Sequence, residues 1–285
     1  LKADAQAERT TLRALPSEWD MYGGDKTATG YGATGKFKVQ KIDGKWWLVN
    51  PLGNLTYLTA ITQVDYTLTP RYVGDVGSTK RGAYVSLDRS GLLSNAFKDN
   101  QACHGKGIFC GGTTWSAYTS NIIKKYGTPT STFPEIVEKW RLNQSNRLRE
   151  WGFNSITDRY ADFAIGWRNG VRDMPFITQF NLKGKTSYQK VNGMDRVPDP
   201  FDPAFEREVN TMMSSYFNMV YPGTTLKIKD DPYAIGTASD NEIPWGLGQD
   251  DDLKNVYAVV VQVLAQGSSQ HSKVAFTNLL KTKYN

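Results

Sequence analysis

Asp240, Asn241 and Glu242 follow a short apolar run and precede Ile-Pro-Trp-Gly. Glu242 is a candidate general acid, because a carboxyl group that stays protonated near neutral pH can protonate a leaving oxygen. The raised pKa that this requires comes from partial burial or from a nearby negative charge, for which Trp245 and Asp240 are candidates. Asn241 is a candidate hydrogen-bond donor to a hydroxyl beside the reacting carbon. Alternatively, the two carboxylates only cap the following loop.

Other polar segments suit the same chemistry. Carboxylates and amides bridge pairs of hydroxyl groups, and aromatic faces stack on the C–H-rich faces of sugars. The residues that we expect from these segments to bind substrate are Asp65, Asp158, Arg159, Tyr160 and Gln179. The segments that contain them lie at the ends of predicted strands, and strand C-termini face the active site in barrels of parallel strands. The pattern predicts a ligand rich in hydroxyl groups.

The first half of the chain divides into three segments. Residues 1–35 are polar and rich in glycine near their end, and they are predicted to form an irregular arm. A hairpin follows around Asp43-Gly44, a type I′ turn signal. We expect Trp46 and Trp47 to serve core and hairpin packing rather than sugar stacking, although adjacent strand residues face opposite ways, which leaves one of the two free to be exposed. Residues 55–61 lack alternation, which is typical of a strand covered on both faces. Residues 63–134 are predicted to be a long loop insertion.

Short strands alternate with amphipathic helices in the second half. Strands are predicted near residues 57, 155, 177 and 235, and helices begin after Thr132, at Asp202-Pro203, at Asp250 and near Ser272. This alternation indicates parallel βα units. A complete (β/α)8 barrel takes about 250 residues, and four units already consume most of this chain. The predicted fold class is therefore α/β, either an open sheet or a TIM-barrel-like fold truncated after its fourth unit.

Composition excludes some functions and leaves others open. The net charge is +6, but no Lys/Arg block is present, so we expect no nucleic-acid partner. No stretch approaches the roughly 20 apolar residues of a membrane span, and we expect no membrane association. Only two histidines occur, which argues against a metal site, and no motif implies an organic cofactor. The long loop carries Tyr66, Trp115 and Tyr118, which are candidates for stacking on sugar rings.

The two cysteines, Cys103 and Cys110, lie in a Gly-rich segment. They form either a local disulfide, if the protein is exported, or two free thiols. The N-terminus shows no signal peptide, but a mature secreted protein would look the same after cleavage. We expect a secreted or periplasmic protein of undetermined oligomeric state.

Four motifs together resemble the agarase-like and β-galactosidase-like glycoside hydrolases, retaining enzymes built on (β/α)8 barrels. These motifs are G-K-W-W-L-V-N-P-L-G-N, R-L-R-E-W-G-F-N-S-I-T-D, D-P-F-D-P-A-F and D-N-E-I-P-W-G. The resemblance spans residues 36–285, the predicted catalytic domain, and is weak over residues 63–134. It implies that Glu242 is the acid/base and that Asn241 contacts the sugar 2-hydroxyl. By position it also implies that Asp158, Arg159, Tyr160 and Trp245 bind substrate in the cleft. The implied substrate is a polysaccharide or oligosaccharide, with agar or a related galactan as the best guess.

One feature departs from the family pattern. A retaining glycosidase needs a second carboxylate about 5–5.5 Å from the first, which acts as the nucleophile. In the families resembled this residue is a glutamate at the end of the seventh strand, and no glutamate follows Glu242 here. We expect the chain to be part of a longer protein that supplies the nucleophile. The alternatives are a short form that binds carbohydrate or serves a structural role without hydrolysis, and an unrelated open α/β fold.

Overall fold

The computed structural model describes most of the chain. The described residues are 2–11, 16–62, 64, 73–75, 90–98, 114–157, 174–180, 182, 190–191, 197–221, 224–240 and 259–284. They divide between two compact units. The first unit comprises residues 1–158, 162–177 and 232–235, and the second comprises residues 159–161, 178–231 and 236–285.

Short strands and longer helices make up the described elements. The strands are β1 (Lys38–Ile42), β2 (Lys45–Val49), β3 (Leu55–Thr56), β4 (Ala60–Thr62), β5 (Val73–Asp75), β6 (Phe97–Lys98), β7 (Thr114–Ser116), β8 (Ser155–Thr157), β9 (Phe176–Phe180) and β10 (Ala234–Ser239). The α-helices are α1 (Lys2–Thr11), α2 (Ala117–Tyr126), α3 (Phe133–Glu150), α4 (Pro203–Phe217), α5 (Val259–Ala265) and α6 (His271–Tyr284). Two 3₁₀ helices span Gly91–Ala96 and Ile228–Asp230.

The described strands form three sheets. The first has the order β1-β2-β3, the second β10-β9-β8-β4 and the third β5-β7-β6. In the second sheet β8 pairs in parallel with both β4 and β9. Strands that neighbour each other in this sheet therefore follow each other in the βα sequence, as expected for successive parallel βα units.

The predicted hairpin is confirmed. β1 and β2 pair antiparallel from Lys38 opposite Val49 to Ile42 opposite Lys45. Asp43 and Gly44 have φ angles of 47° and 81°, the positive values that a type I′ turn requires. Trp46 is 70% exposed, which the prediction allowed for one member of the pair, but Trp47 is 37% exposed and is not buried either, which corrects the expectation of core packing. Val49, by contrast, is fully buried.

The predicted single strand over residues 55–61 is two strands. β3 pairs antiparallel with β2, whereas β4 pairs in parallel with β8. Between them Tyr57 is 83% exposed, so the run is not covered on both faces. The side chain of Asn154 holds this connection, because its Oδ1 accepts from Thr59 N at 2.9 Å and its Nδ2 donates to Tyr57 O at 2.8 Å.

Residues 2–11 form a helix within the segment predicted to be irregular. The helix α1 carries three alanines but no apolar stripe, so its sequence lacks the periodicity that predicts amphipathic helices. It contacts α2 and α3 through polar groups, with Glu8 paired to Lys125 at 2.8 Å and to Arg147. A tertiary interaction, rather than an apolar pattern, accounts for this helix.

Residues 63–134 contain regular structure, which corrects the prediction of one long loop. The third sheet, one 3₁₀ helix and α2 all lie within this range. Ile122, Ile123 and Tyr126 of α2 pack in one buried cluster with residues of α3. Tyr118 is half-buried, packs against the same cluster and accepts from Trp140 Nε1 through its hydroxyl at 3.2 Å. Tyr66 lies outside the described residues.

The predicted helix and strand boundaries of the second half agree closely with the structure. Thr132 caps α3 in a capping box with Glu135, and Gly152, at φ 85°, follows the helix end. Asp202 caps α4, with Ala204 N donating to its Oδ1 at 2.9 Å. The final predicted helix is α6. The helix start predicted at Asp250 lies outside the described residues, which resume with α5.

Among the residues that the structure describes, no helix is both long and apolar enough to cross a membrane.

Candidate active site

The C-terminal ends of β4 and β8 lie side by side in the first unit. Thr62 lies opposite Thr157, and Thr157 lies opposite Ile177 in the parallel register. The predicted site residues Asp65 and Asp158 follow these strands closely in sequence, because β4 ends at Thr62 and β8 at Thr157. The parallel register therefore supports the prediction that the segments containing Asp65 and Asp158 start from the C-terminal ends of β4 and β8.

Most of the predicted site residues lie outside the described part of the chain. These residues are Asp65, Asp158, Arg159, Tyr160, Asn241, Glu242 and Trp245, and the same is true of Cys103 and Cys110. Their roles and the disulfide stay predictions. Gln179 and Asp240 are described, and both lie in the second unit.

Gln179 lies in β9, one residue before its end. It is buried, as is its neighbour Thr178. Two hydroxyl groups link β9 and β10 here: Thr178 Oγ1 donates to Gly236 O at 3.5 Å, and Thr237 Oγ1 donates to Thr178 O at 3.3 Å. Side-chain hydrogen bonds therefore join β9 to β10, the strand that precedes Asn241 and Glu242, in addition to the pairing of the two strands in the sheet.

Asp240 is the first residue after β10, and its backbone is unusual. Its φ angle is 61°, in the left-handed region that residues other than glycine rarely adopt. Its side chain is buried, with Leu182 N donating to its Oδ1 at 2.7 Å. Asp240 thus links the end of β10 to the segment that follows β9. The sequence pattern singled out this carboxylate only as a neighbouring charge or a loop cap.

An apolar cavity of about 400 Å³ adjoins Asp240. The described residues that line it follow β9, lie at the C-terminal end of β10, or belong to or precede α4, α5 and α6. Most of them are valine, proline or phenylalanine. Val191, Val197 and Val263 belong to the buried core of the second unit. Such a lining offers little hydrogen bonding to sugar hydroxyls, so the cavity does not match the ligand predicted from the polar segments.

Buried polar residues of the quoted motifs have structural roles that the sequence analysis did not assign. Asp199, in D-P-F-D-P-A-F, is fully buried; its Oδ1 accepts from Phe201 N and its Oδ2 from Ser272 N, both at 3.0 Å. It thereby ties the entry of α4 to the first turn of α6. The signal that could have found it is the pair of Asp-Pro steps, since aspartate commonly accepts from nearby backbone N–H groups.

No group of three or more histidine, cysteine, aspartate or glutamate residues that could hold a metal ion occurs within the described ranges.

Known proteins resemble this chain over nearly its whole length. No family model matches it. It is 29% identical over 289 residues to Beta-agarase B of Vibrio sp. (strain JT0107), a match that covers 93% of this chain and 28% of that protein. The crystal structure of an agarase, AgWH50C, matches with a TM-score of 0.70 and 25% identity, and the structure of PfGH50B with a TM-score of 0.68 and 26% identity.

These matches confirm the resemblance to agarase-like glycoside hydrolases and the α/β fold class. Each of the two solved structures covers 99% of this chain, and this chain covers 40% of each of them. The chain thus spans less than a third of the curated relative and two fifths of the solved ones.

Proposed function

We propose that this chain is part of a glycoside hydrolase that cleaves β-glycosidic bonds in agar or a related galactan. The observation that carries the proposal is the likeness to a beta-agarase over 93% of the chain. The polar segments at the predicted strand ends support it independently, because carboxylate, amide and aromatic groups suit a ligand rich in hydroxyls. No metal or organic cofactor enters the proposal.

The fold in which this activity resides is proposed to be a (β/α)8 barrel. β4, β8, β9 and β10 are its first four strands. Their order in the sheet follows their order in the chain once β5, β6 and β7 of the inserted segment are set aside, which supports this assignment. Residues 36–285 then form the part of the catalytic domain present here, with residues 63–134 as an insertion after the first strand. Residues 1–35 precede it.

In the proposed mechanism Glu242 is the general acid and then the general base of a double displacement. As an acid it protonates the glycosidic oxygen while a second carboxylate attacks the anomeric carbon. As a base it takes a proton from the water that releases the glycosyl–enzyme intermediate. Asn241 donates to the 2-hydroxyl, an interaction that strengthens in the transition state. The nucleophile comes from residues outside this sequence.

The remaining predicted residues are proposed to bind the polysaccharide. Asp65, Asp158 and Gln179 bond to hydroxyl groups, and Arg159 donates to ring or hydroxyl oxygens. Tyr160 and Trp245 pack on the apolar faces of sugar rings, where aromatic side chains bind with little loss of conformational entropy.

The decisive experiment replaces Glu242 in the natural protein that contains this chain. E242Q removes the acid but keeps the shape, so kcat on agarose oligosaccharides should fall by roughly 10²–10⁴-fold. E206Q is the matched control, because Glu206 is an exposed glutamate of α4, and it should leave kcat unchanged. Turnover is followed as reducing ends. Wild-type protein without turnover on any galactan would contradict the proposal.

The stereochemistry of the product tests the mechanism separately. Double displacement predicts that NMR spectra recorded early in the reaction show the product anomer with the configuration of the substrate. Inverted product would contradict the two-step mechanism and leave the hydrolase assignment standing.

The alternative function is carbohydrate binding without hydrolysis. A protein that keeps the cleft but lacks the nucleophile would bind galactan without cleaving it. Calorimetric titration of the 285-residue chain with agaro-oligosaccharides, followed by product analysis, distinguishes the two functions. Binding with no released sugar, from a natural protein of this length, supports the binding function.

We also propose that the protein is exported. A gel-forming polysaccharide is too large to cross a membrane, so an enzyme that degrades it must act outside the cytoplasm. Detection of the protein in culture supernatant, and a Cys103–Cys110 disulfide by mass spectrometry, would support export.

A further inference from the structure

We infer that Asp240 is a positioning residue, which sets the direction in which the chain leaves β10 and thereby places Asn241 and Glu242 for catalysis. The inference rests on the proposed function, because Glu242 must be the acid/base for its placement to matter. It assigns Asp240 a geometric role, different from the electrostatic one considered from the sequence, in which its charge acts on Glu242.

The backbone of Asp240 is the first observation. A strand that continued past Ser239 would keep a negative φ, but Asp240 has φ 61°. The left-handed region turns the chain sharply out of the strand direction, and residues with a Cβ occupy it only where surrounding contacts hold them. Aspartate and asparagine tolerate this region better than other non-glycine residues. The change of direction falls one residue before Asn241 and two before Glu242.

The side chain supplies the contact that holds this backbone. Leu182 N donates to Asp240 Oδ1 at 2.7 Å, a short bond of the kind that a charged acceptor forms. Both residues are buried, so water competes little for the bond. Leu182 is the second residue after β9. Asp240 is therefore anchored at its backbone by β10 and at its carboxylate by the segment after β9.

A displacement of Asp240 would also displace Asn241 and Glu242, because they follow it directly in the chain. A catalytic group must be held within a fraction of an ångström of its productive position, and a displacement of about 1 Å can cost about 10²-fold in rate. Loss of the anchor should therefore reduce kcat, while substrate binding through residues on other strands persists. This split between kcat and KM distinguishes positioning from substrate binding.

Three substitutions of Asp240 in the natural protein separate the two anchors. D240A disfavours positive φ and removes the acceptor, so kcat should fall about 10²-fold with KM changed less than about threefold. D240G permits positive φ but lacks the acceptor, and should lose about tenfold. D240N tolerates positive φ and keeps an amide oxygen for Leu182 N, so it should recover kcat to within about threefold of wild type. D43A is the control, because Asp43 also has a positive φ, 47°, but lies in the hairpin turn.

The pH profile of D240N distinguishes geometry from charge. If Asp240 acted by its negative charge, removing that charge would lower the pKa of Glu242 and move the alkaline limb of kcat/KM to lower pH. A positioning role predicts that this limb does not move. A D240N enzyme with a shifted alkaline limb, or one as slow as D240A, would overturn the inference.

The outcomes separate this inference from the proposed function. If the wild type is active, E242Q is inactive and D240A is fully active, the inference alone fails. If the wild type has no turnover, the proposed function fails, and the inference fails with it. Circular dichroism checks that each variant is folded, and D240G carries the test if D240A is not.

Discussion

At the scale of single residues, a buried carboxylate organises the segment before the hairpin. Asp20 Oδ1 accepts from Tyr22 N at 2.7 Å and from Gly24 N at 3.1 Å. Its Oδ2 accepts from the side-chain amides of Asn50 and Asn54, at 2.5 Å and 2.6 Å. Four donors on one buried carboxylate satisfy it fully, which explains why the motif N-P-L-G-N carries two asparagines. Asn54 begins the glycosylation pattern Asn54-Leu55-Thr56, but its burial in this network argues against its being glycosylated.

The same network requires glycine at position 24, where the side chains of Asn50 and Asp20 lie too close to the backbone for a Cβ atom. A Cβ added at Gly24 would lie 2.3 Å from Asn50 Nδ2 and 2.9 Å from Asp20 Oδ2. Gly23, at φ 72°, faces Asn154, whose Cβ would be 2.4 Å from an added Cβ. Asn154 Nδ2 donates to Gly23 O at 3.0 Å, so the glycine pair joins the Asp20 network to the start of β8.

Substituting Asp20 tests the network. D20N places an NH₂ group where donors converge and removes the charge, so we expect a loss of about 2–3 kcal/mol in unfolding free energy. That loss corresponds to a melting temperature lower by roughly 4–12 °C for a domain of this size. D25N is the matched control on the same segment, since exposed Asp25 accepts from Thr27 N only in a local turn, and it should leave the melting temperature nearly unchanged. An equal shift in both variants, measured by thermal circular dichroism, would contradict the role of Asp20.

At the scale of elements, a polar cluster explains how the N-terminal helix is held. Glu8 of α1 pairs with Lys125 of α2 at 2.8 Å and with Arg147 of α3, and Tyr126 Oη lies 3.5 Å from its second oxygen. Burial alone would raise the pKa of Glu8, but hydrogen bonds and charge from Lys125 and Arg147 outweigh it and hold that pKa below its ordinary value. The ion pairs thus fasten three helices of the first unit.

This cluster predicts a stability that depends on pH. Because the folded-state pKa of Glu8 is depressed, its contribution is present above the unfolded-state pKa and is lost as pH falls through the folded value. Solvent screens these partly exposed ion pairs, so E8Q should lower the unfolding free energy by about 0.5–1 kcal/mol at pH 7 and by much less near pH 3. Urea unfolding at both pH values measures the difference, with exposed Glu18 replaced as E18Q for comparison. A loss independent of pH would show that packing, rather than charge, holds α1.

At the scale of the whole molecule, the net charge of +6 does not by itself indicate an anionic partner. Basic and acidic residues are mixed along the chain, so no surface stripe is expected to follow a phosphate backbone. A neutral galactan offers hydroxyls and apolar ring faces, and its binding releases no counterions. The proposed function and a nucleic-acid function therefore differ in their dependence on salt.

Binding of galactan should change little between about 50 and 500 mM NaCl, and a DNA duplex should not bind at the lower concentration. Fluorescence anisotropy with labelled agaro-oligosaccharide and labelled duplex measures both. Sulfated galactan is a useful control, because its charge should make weak binding sensitive to salt. Steeply salt-dependent DNA binding would contradict the composition argument and favour a nucleic-acid partner.

Local signals in the sequence were sufficient for much of the fold. The Asp43-Gly44 turn, the Thr132 capping box and the Asp202 cap are set by residues a few positions apart, and each element lies where its signal predicts. The apolar runs at β8, β9 and β10 were recognised because parallel strands are short and apolar. The resemblance to agarases rested on the same segments, and the comparisons confirm it.

Other features depend on contacts between residues far apart in sequence, and only the tertiary structure decided them. α1 is held by side chains more than a hundred positions away, and Asn154 divides the run at residues 55–61 by bonding to it across 95 and 97 positions. Asp240 likewise owes its conformation in part to Leu182, 58 positions earlier. Short-range patterns determine which segments form strands and helices. Which buried polar groups meet, and where a strand must turn, is determined by the packing of the folded chain.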